Sequence, residues 1–185
     1  MKKIIFLISI CLLASCVRGE QNKITLESLL LEMVDPYTPT RWSDVKYQCL
    51  QFSSYDRAST APGDPTWFAN ADGFGYERLD TVAGRVEKVL FEDYHPGVIT
   101  RIWITTHTPK AVLRFYFDGS ETPGWVVPAY DFTEFGLQEL ENNPLLLTHT
   151  SYEKGVKGGQ TFFLPIPYSK SLKITLEDPY KDVPR

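Results

Sequence analysis

Leu113-Arg114-Phe115-Tyr116-Phe117-Asp118-Gly119 decides the fold. Large apolar side chains at 113, 115 and 117 alternate with Arg114 and Tyr116. That period of two is the mark of a strand with one face in a core and a polar face outside. Asp118-Gly119 ends the run with turn chemistry. Outward from this stretch the same period recurs at residues 86–92, 98–106, 111–118, 145–151, 161–166 and 171–177, each of which reads as a strand. His95-Pro96-Gly97, Pro123-Gly124 and Gly158-Gly159 supply further turn signals between them. Helical spacing is found only near the start, where Leu26, Leu29, Leu30 and Met33 follow Thr25 as N-cap and Asp35-Pro36 gives a stop. This predicts a short amphipathic helix packed on one side of the domain, followed by an extended loop over residues 37–44. Closely spaced strands with one helix predict an all-β protein, a jelly-roll-like β-sandwich with one short N-terminal helix.

The first fifteen residues have a different character. Lys2 and Lys3 form a positive n-region, and Ile4 to Ala14 is an apolar h-region of 11 residues. Spanning a bilayer takes about 20 apolar residues, so this segment reads as a signal peptide and not as an anchor helix. Leu13-Ala14-Ser15-Cys16 resembles the lipobox of bacterial lipoproteins, in which the cysteine becomes the lipidated N-terminus. Residues 1–15 are therefore assigned as a lipoprotein signal peptide, 16–25 as a tether, and 26–185 as the β-rich region. The expected product is an exported, lipid-anchored protein of the bacterial envelope. The alternative is cleavage after Gly19 in Val17-Arg18-Gly19, which gives a soluble periplasmic product.

Composition narrows the function classes. The chain is 43% hydrophobic and 23% charged, a globular balance, with 14% aromatic residues. Removal of Lys2 and Lys3 leaves 17 basic against 23 acidic residues, a net charge of −6, without any basic block; no nucleic-acid partner is expected. His95, His107 and His149 are scattered and no phosphate loop, His-Glu-x-x-His or Gly-x-Ser-x-Gly occurs, so neither a metal nor a cofactor is expected. Of the three cysteines, Cys11 leaves with the h-region, Cys16 is lipidated or removed, and Cys49 is left without an internal disulfide partner. Alternation in Tyr47-Gln48-Cys49-Leu50-Gln51-Phe52 predicts Cys49 as a buried structural residue.

The 29 residues from Phe52 to Asp80 lack periodicity yet concentrate polar and aromatic groups. Long irregular segments inside compact domains are more often functional than accidental. Ser53-Ser54-Tyr55-Asp56-Arg57 and Asn70-Ala71-Asp72 bring carboxylate, guanidinium, amide and aromatic groups into one loop. Sugar recognition needs those types, to bracket vicinal hydroxyls and to lie against a ring. Tyr55, Asp56, Arg57, Asn70 and Asp72 are the candidate substrate-binding residues. The competing reading is an Asp56–Arg57 surface pair, with Asn70 and Asp72 shaping turns through bonds to the backbone. Spacing alone leaves both open.

Five ordered motifs then narrow the reading: Gln51-Phe52-Ser53-Ser54-Tyr55-Asp56-Arg57, Trp67-Phe68-Ala69-Asn70-Ala71-Asp72, Gly97-Val98-Ile99-Thr100-Arg101-Ile102-Trp103, Leu113 to Gly119, and Phe163-Leu164-Pro165-Ile166-Pro167-Tyr168. Together they resemble the N-terminal part of glycoside hydrolase family 172, a resemblance that covers Leu26 to Glu177. The resemblance implies a jelly roll, homotrimers or multiples of them, an oligo- or polysaccharide substrate, and cleavage of α-linked D-fructofuranosides or D-arabinofuranosides with retention by two glutamates. Those glutamates belong to the C-terminal half of the family, so no catalytic residue is assigned here. The expectation is an incomplete domain that is inactive as this chain. The rival expectation is a non-catalytic carbohydrate-binding or structural assembly module of the cell envelope.

Overall fold

The structure is a computed structural model that describes residues 23–42, 46–106, 108–132, 145–150 and 157–178. The signal segment, Cys16 and His107 lie outside these residues. Helix α1 (Leu26–Val34) begins where Thr25 caps it: the Thr25 hydroxyl accepts from the Ser28 amide while Ser28 accepts from the Thr25 amide. It ends at Asp35 before the proline. Leu30 packs against the core, but Leu31, Met33 and Val34 face outward, so the apolar stripe is only partly used. A single 3-10 turn, Thr38–Thr40, follows in the segment expected to be extended.

Ten strands follow among the described residues: β1 (Arg78–Val82), β2 (Arg85–Asp93), β3 (Gly97–Ile99), β4 (Ile102–Ile104), β5 (Val112–Phe117), β6 (Trp125–Pro128), β7 (Leu146–Thr150), β8 (Lys157–Phe162), β9 (Ile166–Tyr168) and β10 (Leu172–Glu177). They form a five-stranded sheet in the order β1-β2-β10-β5-β6, a three-stranded sheet β4-β8-β7 and the pair β3-β9, all antiparallel. The fold is a β-sandwich and not a barrel. Its core joins Leu113 and Phe115 of β5, Val127 of β6, and Leu172 and Ile174 of β10 to Leu146, Phe162 and Ile166 from the facing strands. Phe132 closes the core edge-on against Phe162, with ring centres 5.9 Å apart.

Four further sequence expectations change. The run at 98–106 divides into β3 and β4, and the run at 161–166 divides between the end of β8 and the start of β9. Gly158-Gly159 is not a turn but lies inside β8, where Gly159 receives the Trp103 indole. Cys49 is exposed, contrary to the buried role expected of it. Residues 46–52 pair with no described strand, so alternation there has no sheet to turn one face inward.

The outer face of the five-stranded sheet is polar and tightly cross-linked. Opposite Ile174 and Thr175 the ladder skips Leu90: Ile174 pairs with Phe91 and Thr175 with Val89. One residue is thereby added to β2, and its alternation changes phase. Glu87 and Val89 lie outward before the bulge and Glu92 after it, while Phe91 reaches the core. Glu87 has 0% exposure. Its Oε2 accepts from the Tyr116 hydroxyl and the Thr175 hydroxyl, each at 2.7 Å, and its Oε1 from Arg85 at 3.2 Å. Arg114 Nε stands 3.8 Å from the same carboxylate and Arg114 Nη2 pairs with Glu177 at 2.6 Å. Towards the edge, Arg78 joins Glu92 at 2.6 Å and Asp80 at 2.8 Å, and Lys173 joins Asp80 at 3.0 Å.

Candidate functional site

The sequence-picked loop is fastened to the sandwich at both ends. At its start, Phe52 packs edge-on against Phe91 with centres 4.7 Å apart. At its end, Phe74 and Tyr76 flank the Lys88 ammonium at 5.9 and 5.8 Å, and the Glu77 amide bonds to Val89 carbonyl at 2.9 Å. Lys88 is buried on the sandwich-facing side of β2, so the two rings take the place of water around its charge.

Between these anchors the loop folds on itself. Asp56 Oδ1 accepts from the Ala58 amide and Oδ2 from the Ala71 amide, both at 2.9 Å. Asp72 Oδ1 accepts from the Asp56 amide at 2.8 Å. These bonds tie two stretches that lie 15 and 16 residues apart in sequence. The amide donors, Ala58 first and then Ala71, hold the Asp56 carboxyl below the usual carboxylate range, because they favour its ionised form. Arg57 is the hub. Its Nη1 donates to the Tyr55 carbonyl at 2.9 Å, and its Nη2 to the Ser53 and Gly75 carbonyls at 2.7 and 3.2 Å. The guanidinium carbon also lies 3.9 Å from the centre of the Tyr55 ring. Gly75 must be glycine, since a Cβ there would collide with the Tyr55 carbonyl.

Tyr55, Asp56, Arg57 and Asp72 are thus brought together, and the polar groups of the last three hold backbone in this conformation. No Asp56–Arg57 ion pair forms among the described residues. Asn70 sits beside the braced Ala71 with its side chain exposed and makes no hydrogen bond among the described residues. Trp67 and Phe68 lie on the same turn-rich arm, Phe68 at 88% exposure, and Ser59 bonds to the Trp67 carbonyl at 2.8 Å. Phe68 was not among the candidate residues. Its signal was the unbroken aromatic pair Trp67-Phe68 in a segment without strand periodicity.

The comparison with known families rests on the same stretch. Residues 45–183 match the GH172 first beta-sandwich domain. The chain belongs to glycoside hydrolase family 172. The GH172 match begins just before the segment that leads into the loop and takes in every described strand, so the loop belongs to the family domain and is not an appendage. A search of curated proteins finds no match. Among the described residues of this GH172 domain no cluster of His, Cys, Asp or Glu is placed to hold a metal ion, and no helix is long and apolar enough to cross a membrane. His95 is exposed in its turn, with Nδ1 2.9 Å from Asp93.

Proposed function

We propose that this chain is the first sandwich of an exported GH172 glycoside hydrolase that cleaves α-linked furanosides, D-fructofuranosides or D-arabinofuranosides, with retention. The match to the GH172 first beta-sandwich domain over residues 45–183 carries this reading. In it, the braced loop is one wall of the sugar site: Tyr55, Trp67, Phe68 and Asn70 offer rings and an amide to the substrate, while Asp56, Arg57 and Asp72 hold them in place. Cys16 carries the lipid that ties the product to the envelope membrane. Exposed rings at Trp42, Tyr47 and Phe68 support assembly into a homotrimer, in which such faces are covered.

Residues 1–185 alone do not catalyse hydrolysis in this reading. A retaining enzyme needs two carboxyls about 5 to 5.5 Å apart, both reaching the anomeric centre. Glu87 is sealed under Tyr116 and Thr175, and Glu92 and Glu177 are held in ion pairs with Arg78 and Arg114. A second reading, a non-catalytic carbohydrate-binding or assembly module, is favoured by one observation: the Asp56 and Asp72 carboxylates are engaged with backbone amides.

The test uses aryl α-D-fructofuranoside and aryl α-D-arabinofuranoside with this chain and with a polypeptide in which the same sandwich precedes a second GH172 domain. The expected outcome is no turnover above buffer for the first, and hydrolysis by the second with the product anomer retained. Turnover by the purified 185-residue chain overturns the division of labour. Failure of the longer polypeptide on both sugars favours the binding-module reading.

A further inference from the structure

The outer face of β4 carries a second arrangement suited to a sugar, away from the loop in sequence. Arg101 and Trp103 are two residues apart at this strand and share its face, while Ile102 and Ile104 point into the core. Trp103 pairs across the ladder with Thr161 of β8, which is itself buried. Trp103 remains 57% exposed. It is also held in place: its Nε1–Cζ2 edge rests on Gly159 of β8, where an added Cβ would come within 3.0 Å of Nε1. Beside it, Arg101 lies with its guanidinium carbon 5.7 Å from the centre of the Phe163 ring. Among the described residues this guanidinium donates no hydrogen bond, so its donors face solvent.

A fixed, exposed indole next to free planar donors matches one ligand class well. The apolar face of a sugar ring packs on the indole, and vicinal hydroxyl oxygens accept from the guanidinium. A peptide added to β4, an edge strand paired on one side with β8, would hydrogen-bond in the plane of the sheet and not lie on the face that carries Trp103. We infer that Arg101 and Trp103, seated on Gly159, form a saccharide-binding platform on the outer face of the β4-β8-β7 sheet. Only the ligand class is taken from the proposed function; the platform binds glycan without hydrolysing it. Its failure and the failure of the hydrolase reading are read by different signals.

The experiment is a ¹⁵N NMR titration of the full chain with inulin-type fructo-oligosaccharides and with arabinofuranosyl oligosaccharides, followed at the indole Nε1–H resonances. Trp103→Phe identifies the Trp103 signal and keeps a ring of strand-compatible shape. The expected result is a saturable shift of that signal with at least one of the two sugars. Arg101→Ala is expected to weaken binding at least fivefold, and Gly159→Ala to weaken it while leaving the amide spectrum folded. A Trp103 signal that stays fixed at millimolar sugar overturns the proposal. So does a shift that survives unchanged in Arg101→Ala and Gly159→Ala, or a Trp103 indole protected from water in a self-associated chain.

Discussion

Replacement of Glu87 by alanine tests whether the polar face of the large sheet holds the sandwich together or merely decorates it. In the structure one carboxylate oxygen takes both hydroxyls, Tyr116 and Thr175, at 2.7 Å, and the other faces Arg85 and Arg114. Glu87 is fully buried, and Arg114 keeps 11% of its side-chain surface. Arg114 Nη1 already lacks a hydrogen-bond partner among the described residues. Loss of the carboxylate therefore strands two buried hydroxyls and removes a counter-charge from a guanidinium with little access to water. Breaking a buried pair in this way costs about 3–5 kcal/mol, against about 0–1 kcal/mol for a solvated surface pair. Glu87→Gln keeps the shape and one acceptor, so about 1–3 kcal/mol is expected. At about 2–4 °C per kcal/mol for a domain of this size, the alanine variant should melt at least 6 °C below the parent. The assay is urea and thermal unfolding followed by circular dichroism, with unchanged urea slope as the sign that the same transition is measured. A loss under about 1 kcal/mol for Glu87→Ala refutes the reasoning and makes the network a solvated surface.

Two further outcomes follow from single sites. The Ser169 hydroxyl and the Lys170 and Ser171 amides hold the Asp118 carboxyl below its usual range, so its contribution is fully present above an unfolded value of about 3.9 and is lost as pH falls through the lower folded value. Melting temperature should accordingly drop below about pH 4, and less steeply in Asp118→Asn, which tolerates the left-handed φ of 55° at that turn; equal slopes in both proteins count against it. If Cys16 carries lipid, the expressed protein partitions into detergent and Cys16→Ala moves it to the aqueous phase, whereas a parent protein found soluble with Glu20 as its first residue excludes the anchor.

Strong alternation made six stretches of strand legible, because β5 and β10 have one apolar face and one charged face. Two strands escaped for local reasons. β1 turns into β2 through Ala83-Gly84, and Ala83 adopts φ 49° without the Asn or Asp that normally marks such a hairpin. β6 has four residues and ends in Pro128, a residue that suits an edge, which is where β6 lies. The phase change in β2 was hidden as well, since a bulge depends on the partner strand and not on the strand itself. In the loop, the residue types that suit a sugar were visible, but their division of labour was not. Asp56 and Asp72 find amides across the loop, contacts that spacing along the chain does not reveal. Arg57 is a candidate either for the sugar or for an ion pair with Asp56 in the sequence, yet three carbonyls and the Tyr55 ring claim it.

That division of labour gives the most direct test of the central claim, that this sandwich contributes a braced wall to a furanoside site. In the polypeptide that carries this sandwich ahead of a second GH172 domain, kcat/KM and melting temperature are measured together for Asn70→Ala and Asp56→Asn. Asn70 makes no hydrogen bond among the described residues, so Asn70→Ala should leave melting unchanged and lower kcat/KM on the aryl furanoside about tenfold, the size expected when one hydrogen bond to the transition state is lost. Asp56 braces the loop, so Asp56→Asn should lower both. Unchanged kcat/KM in Asn70→Ala, together with a loss of melting temperature alone in Asp56→Asn, would contradict the account and leave the loop as scaffold.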